Sequence, residues 1–251
     1  MIYVNGDSWS QNQWKPHQPI DYSWPNLLAS MTNLEVLNES AGCGSNSRML
    51  DNLHRAYYRG VRPSLVIIAL TDIARWHLPS TLNSIWNISS SCAINDRTGK
   101  VDDYITKWWV SNSFDELEYS YQYYNIIYQI KIFCDSILNC PVLFFNAWQH
   151  NILGMNKLCL GLDNTIQDWV EQKNVDKTDY SVRYYVESFK FFRNKFQQWN
   201  LDFTPWTKFI TKQHIDGPDG LHPNHPSSEG HRLIAQHVYA TIYDNFKEVL
   251  T

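Results

Sequence analysis

Three short apolar runs constrain this chain most: Ile2-Tyr3-Val4, Leu65-Val66-Ile67-Ile68-Ala69-Leu70 and Pro141-Val142-Leu143-Phe144-Phe145. None alternates apolar with polar, as a strand with one wet face would. Continuous runs of this length suit strands covered on both faces, the situation inside a parallel sheet. A weaker candidate, Leu34-Glu35-Val36-Leu37, precedes a stretch of small and polar residues from Asn38 to Ser47. Helical spacings lie between the runs. Leu117, Tyr121, Tyr124 and Tyr128 share one helix face, and Leu233, Ile234, His237, Val238, Thr241 and Ile242 form a second stripe. Pro226, Ser227 and Ser228 supply start signals for that last helix. Strands alternating with helices imply an α/β fold, a three-layer α/β/α sandwich.

At 251 residues the chain fits one domain spanning 1–251. Two segments break the alternation and read as insertions at one edge of the sheet, at about 76–113 and 146–213. The first carries Trp76, Trp86, Trp108 and Trp109 and a turn signal from Asn95 to Lys100, which suggests a hairpin. The second holds Trp148, Trp169, Trp199 and Trp206, with a helical run near Tyr184 to Trp199. Aromatic residues make up 15% of the chain, and most of the 11 Trp are expected to fill the core and the insert interface.

A net charge of -4 offers no basic field for nucleic acid or a membrane surface. Five cysteines without a CxxC pair read as reduced buried thiols. Neither a secretory signal pattern nor an apolar run of about 20 residues is visible, so a soluble cytoplasmic protein is expected. Oligomeric state is not legible.

The chemistry sits at the two ends. Gly6-Asp7-Ser8-Trp9-Ser10 follows the first strand, which puts Ser8 where open α/β sheets bind ligands. Far along the chain, Asp216-Gly217-Pro218-Asp219-Gly220-Leu221-His222-Pro223-Asn224 stands just before the last helix. A nucleophilic serine needs an imidazole base, and that base needs an orienting carboxylate. The Asp219–His222 spacing can bring a carboxylate to Nδ1 and leave Nε2 for the serine.

Together these ends resemble the SGNH (GDSL-type) hydrolase family, which carries Gly-Asp-Ser near the start and Asp-x-x-His before a last helix. The resemblance implies Ser8 as nucleophile, His222 as base and Asp219 as its orienter. It also implies a flavodoxin-like sheet of about five parallel strands. In the family a glycine after the second strand lends its N–H to the oxyanion hole. Gly44 or Gly42 could serve here, with Gly44 preferred and the Ser8 N–H beside it. The family's next block is Gly-x-Asn-Asp, but this chain has Ala69-Leu70-Thr71-Asp72. Thr71 therefore stands where an asparagine donor is expected, and either its hydroxyl or the neighbouring Asn46 would supply that contact. Asp72 and Arg75 read as a structural pair in the loop. Trp9, next to the nucleophile, is a candidate pocket wall.

The expected activity is ester hydrolysis through an acyl-enzyme, without cofactor or metal. A small-acyl ester, such as an O-acetyl group on a glycan, is the expected substrate. The cluster His214, Asp216, Asp219, His222 and His225 lacks a metal-protease pattern and would need ligands from elsewhere. No G-x-S-x-G elbow and no phosphate-binding glycine loop occurs. The non-enzymatic alternative is a carbohydrate-binding or structural module that keeps the fold with weak or lost chemistry.

Overall fold

The computed structural model describes residues 1–15, 18–19, 21–71, 75–81, 84–89, 93–95, 116–147, 180–199, 201 and 225–250. In chain order these form β1 (Ile2–Asn5), β2 (Gln13–Lys15), β3 (Gln18–Pro19), α1 (Trp24–Thr32), β4 (Val36–Asn38), α2 (Asn46–Tyr58) and β5 (Leu65–Leu70). There follow β6 (Arg75–Thr81), β7 (Ser84–Ser89), β8 (Ala93–Asn95), α3 (Glu116–Phe133), β9 (Val142–Asn146), α4 (Tyr180–Gln198) and α5 (Ser228–Asn245).

The central sheet is parallel throughout, in the order β4-β1-β5-β9. All four apolar runs of the sequence become its strands. Four strands are seen among the described residues, where about five were expected. Pleating explains why the runs are continuous. Ile2, Val4, Leu65, Ile67, Ala69 and Phe145 enter one core with Trp24 and Leu28 of α1 and Ile234, Val238 and Ile242 of α5. Tyr3, Val66, Ile68, Leu70, Val142 and Phe144 enter the other, with residues of α2, α3 and α4. Each strand is thus covered twice, and the three layers are α/β/α.

Aromatic residues build much of the second core. Tyr124 of α3 meets Phe189 of α4 edge-on at 5.4 Å, and Phe192 stacks near Phe196 with ring centroids 6.1 Å apart. Such offset and tilted contacts are the arrangement favoured by ring quadrupoles. The helical run expected near Tyr184 to Trp199 is therefore a core helix. In the other insertion, β6, β7 and β8 form an antiparallel sheet. Its first hairpin pairs Thr81 with Ser84, upstream of the turn signal, and 96–100 lie outside the described residues.

α5 begins as its sequence suggests, with Ser227 Oγ accepting the Gly230 N–H at 3.2 Å. It is tied to α1 by a polar contact inside the core. His231 is fully buried, and its Nδ1 accepts the Trp24 N–H at 3.3 Å. Burial chiefly, and then nearby His225, lower its pKa from 6.5 to about 3. The unfolded chain therefore takes up this proton below about pH 6.5, whereas the folded one does so only near pH 3. The stability carried by neutral His231 is complete above that window and drains as pH falls through it, by roughly 4–5 kcal/mol in all. Thermal melting should show a steeper loss of Tm between about pH 6.5 and pH 4 for the native chain than for His231→Asn, whose Oδ1 can replace Nδ1 as acceptor.

Candidate active site

Ser8 stands just past the carboxyl end of β1. This strand lies between β4 and β5, where the strand order reverses and open α/β sheets bind their ligands. The turn that presents it is held by its own residues. Asn5 Oδ1 accepts the Gly6 N–H at 2.9 Å, Asp7 Oδ1 accepts the Trp9 N–H at 2.9 Å, and the Asp7 carbonyl accepts the Ser10 N–H at 3.0 Å. Glycine is required at position 6 by space. A Cβ there would lie 2.6 Å from Ser10 Oγ and 2.9 Å from Ala69 Cβ.

Asp7 is fully buried. Its Oδ2 accepts the Thr71 hydroxyl at 2.9 Å and the Arg75 guanidinium at 2.9 Å. An ionised carboxylate without such partners would be very costly in this position. Arg75 pairs with Asp7; Asp72, the partner that the sequence suggested, lies outside the described residues.

The imidazole at Ser8 is that of His225, whose Nε2 is 2.9 Å from Ser8 Oγ. His225 sits two residues before Ser227, so the start of α5 fixes its place. Asp219 and His222 lie outside the described residues. His225 entered the sequence reading only as a member of a metal-like cluster. Its signal was legible: Ser227 caps α5, so His225 is the histidine directly against the helix, three residues nearer than His222.

The other expected residues fall close by, with different duties. Thr71 has one hydroxyl hydrogen, and Asp7 receives it, so the oxyanion contact expected of Thr71 is not available in this geometry. The Gly44 N–H goes to the Ala41 carbonyl at 2.9 Å. Gly44 still borders the turn that carries Ser8, since a Cβ on it would lie 3.1 Å from the Gly6 carbonyl oxygen and 3.7 Å from Asp7 Cα. Gly42 faces Gln11, with its Cβ position 3.3 Å from Oε1. Asn46 is buried and braces Thr71: Nδ2 donates to the Thr71 carbonyl and Oδ1 accepts the Thr71 N–H, both at 2.9 Å. Trp9 is a core residue at 1% exposure. Among the described residues no hydrogen-bond partner is found for the Ser8 N–H.

Among the described residues no group of three or more His, Cys, Asp or Glu side chains is placed to hold a metal ion. No described helix is long and apolar enough to cross a membrane.

No protein-family model and no curated protein matches the chain. Solved structures similar to it include a psychrotrophic esterase from Pseudoalteromonas sp., at 13% identity over 97% of this chain and 96% of that one, with a TM-score of 0.49. A member of the lipolytic protein G-D-S-L family from Veillonella parvula matches at 14% identity over 98% and 97%, with a TM-score of 0.46. A family two carbohydrate esterase from Clostridium thermocellum matches at 14% identity over 98% of this chain but 64% of that one, with a TM-score of 0.47. Likeness of this degree transfers no residue roles.

The Thr71 bond to Asp7 has a measurable weight. Thr71→Val removes a hydrogen bond to a buried charge and should lower unfolding free energy by about 1.5–3 kcal/mol, read from urea denaturation midpoints.

Proposed function

We propose that this chain is a serine esterase in which Ser8 is the nucleophile and His225 the general base. The observation that carries this reading is the 2.9 Å contact between Ser8 Oγ and His225 Nε2. It is supported by the position of Ser8 at the reversal of strand order and by the resemblance of the Gly6-Asp7-Ser8 turn to SGNH hydrolases, whereas their Asp-x-x-His block implies His222. With Nδ1 protonated, His225 Nε2 takes the Ser8 proton as Oγ attacks the ester carbonyl. The Ser8 N–H steadies the oxyanion. His225 then protonates the departing alcohol, and water removes the acyl group through the same base. Asp219 remains the proposed carboxylate that orients the imidazole, six residues before it. A small-acyl ester, such as an acetyl group on a glycan hydroxyl, is the proposed substrate, and the chemistry calls for no cofactor.

Turnover of an activated acetate ester tests the roles. Ser8→Ala and His225→Ala should each lower kcat/KM by about 10⁴-fold or more, while His222→Ala should cost less than about tenfold. The reverse result for the two histidines would return the base to His222.

A second reading is favoured by one observation: the Thr71 hydroxyl and the Gly44 N–H are both committed elsewhere. Losing one oxyanion donor typically costs about 10²–10³-fold in rate. The chain would then be a weak or inactive carbohydrate-binding module on this fold. A fluorophosphonate separates the two. The esterase is expected to be labelled stoichiometrically at Ser8, and a native chain that never reacts there is the binding module.

A further inference from the structure

One strand of the inserted sheet grips the parts of the molecule that surround Ser8. Arg75 and His77 are two residues apart on β6, so both project to one face. Arg75 reaches Asp7, beside the nucleophile. His77 reaches α2: its Nδ1 is 2.9 Å from Ser47 Oγ and 3.2 Å from Ser45 Oγ, and its Nε2 is 3.0 Å from Asp51 Oδ2. Ser47 and Asp51 are four apart on α2 and therefore neighbours on its surface.

The hydrogen positions follow from the partners. An ionised carboxylate only accepts, so Nε2 carries the imidazole hydrogen and Nδ1 accepts from a serine hydroxyl. The bond from His77 is the chief reason the Asp51 carboxyl is held below the usual carboxylate range. Serine, histidine and aspartate here match the composition of a hydrolytic triad, but the surroundings differ from one. Two hydroxyls share Nδ1, Ser45 Oγ also caps α2 by accepting the Arg48 N–H at 3.2 Å, and the Asp51 side chain is 46% exposed. These are the features of a clamp.

What the clamp holds is the turn against Ser8. Ser45 directly follows Gly44, where a Cβ would lie 2.9 Å from the Ala41 carbonyl oxygen and 3.1 Å from the Gly6 carbonyl oxygen. The Ala41 N–H, at the other side of that turn, donates to the Gly6 carbonyl at 3.2 Å. We propose that His77 is a positioning residue for the esterase reaction proposed above: through Ser45 and Ser47 it holds the 41–47 turn in register with the nucleophile loop, without touching substrate. A turn that drifts lets Ser8 leave its aim at the carbonyl. Misplacement of about 1 Å can cost on the order of 100-fold in rate.

Three variants and two readouts test this. His77→Asn keeps an acceptor near the Nδ1 position, His77→Gln keeps a donor near Nε2, and His77→Ala keeps neither. With an activated acetate ester, His77→Ala should lose about 10- to 100-fold in kcat with KM within about threefold; His77→Asn should recover most of kcat and His77→Gln should not. Amide hydrogen exchange over 41–47 should rise about tenfold or more in His77→Ala and stay near native in His77→Asn. Native exchange across 41–47 in His77→Ala overturns the proposal. So does an equal loss of kcat in all three variants, which marks a merely structural role. Should the native chain hydrolyse no ester, the esterase reading falls, and exchange over 41–47 in the two variants decides the positioning by itself.

Discussion

The site depends on one buried charge. Asp7 lies between the glycine that closes the β1 turn and the serine that the turn presents, with no surface open to water. Among its partners are the Trp9 N–H within the turn, the Thr71 hydroxyl just past β5, and Arg75 at the start of β6. Because a lone carboxylate is so poorly tolerated there, the turn, the central strand and the inserted sheet cannot move apart separately. Asn46 extends the bracing to α2 by gripping Thr71 through both of its amide atoms. Directional bonds around Asp7 thus set where Ser8 points, and the two apolar cores set how firmly.

The opposite side of the site is fixed by packing. His225 leads into α5, whose inner residues Ile234, Val238 and Ile242 share a core with β1 and β5. The His231–Trp24 contact locks α5 to α1 at the same end. The depth of the His225 imidazole relative to Ser8 is therefore decided by helix-on-sheet packing, which tolerates volume errors poorly.

Much of the fold was legible because parallel strands leave a strong signature. Two covered faces demand apolar residues at every position, and Ile2–Val4, Leu65–Leu70 and Val142–Phe145 have them. The capped start of α5 and the Gly6-Asp7-Ser8 turn were legible for similar local reasons. What could not be read was pairing. Thr71 was expected to serve an oxyanion because it occupies the place of a family asparagine, and nothing local says that its hydroxyl turns to Asp7. Trp9 was open to a pocket role since the sequence does not tell which side of a turn faces the core. His222 was expected as the base from the Asp219-x-x-His222 spacing, and the contact of His225 with Ser8 joins residues too far apart in sequence to be read from it. Arg75 and His77 were obscure for a further reason. Their partners lie 68 and 26 residues away, and only the docking of an inserted sheet brings them together.

The Ser8–His225 contact joins residues 217 positions apart. Contacts of such separation form late, because the chain must close a very long loop before they yield anything. During synthesis Ser8 leaves the ribosome 217 residues ahead of its imidazole partner. Until His225 has been made, the Ser8 hydroxyl lacks this contact. The Ser8–His225 contact therefore reports that two segments made far apart in time have met.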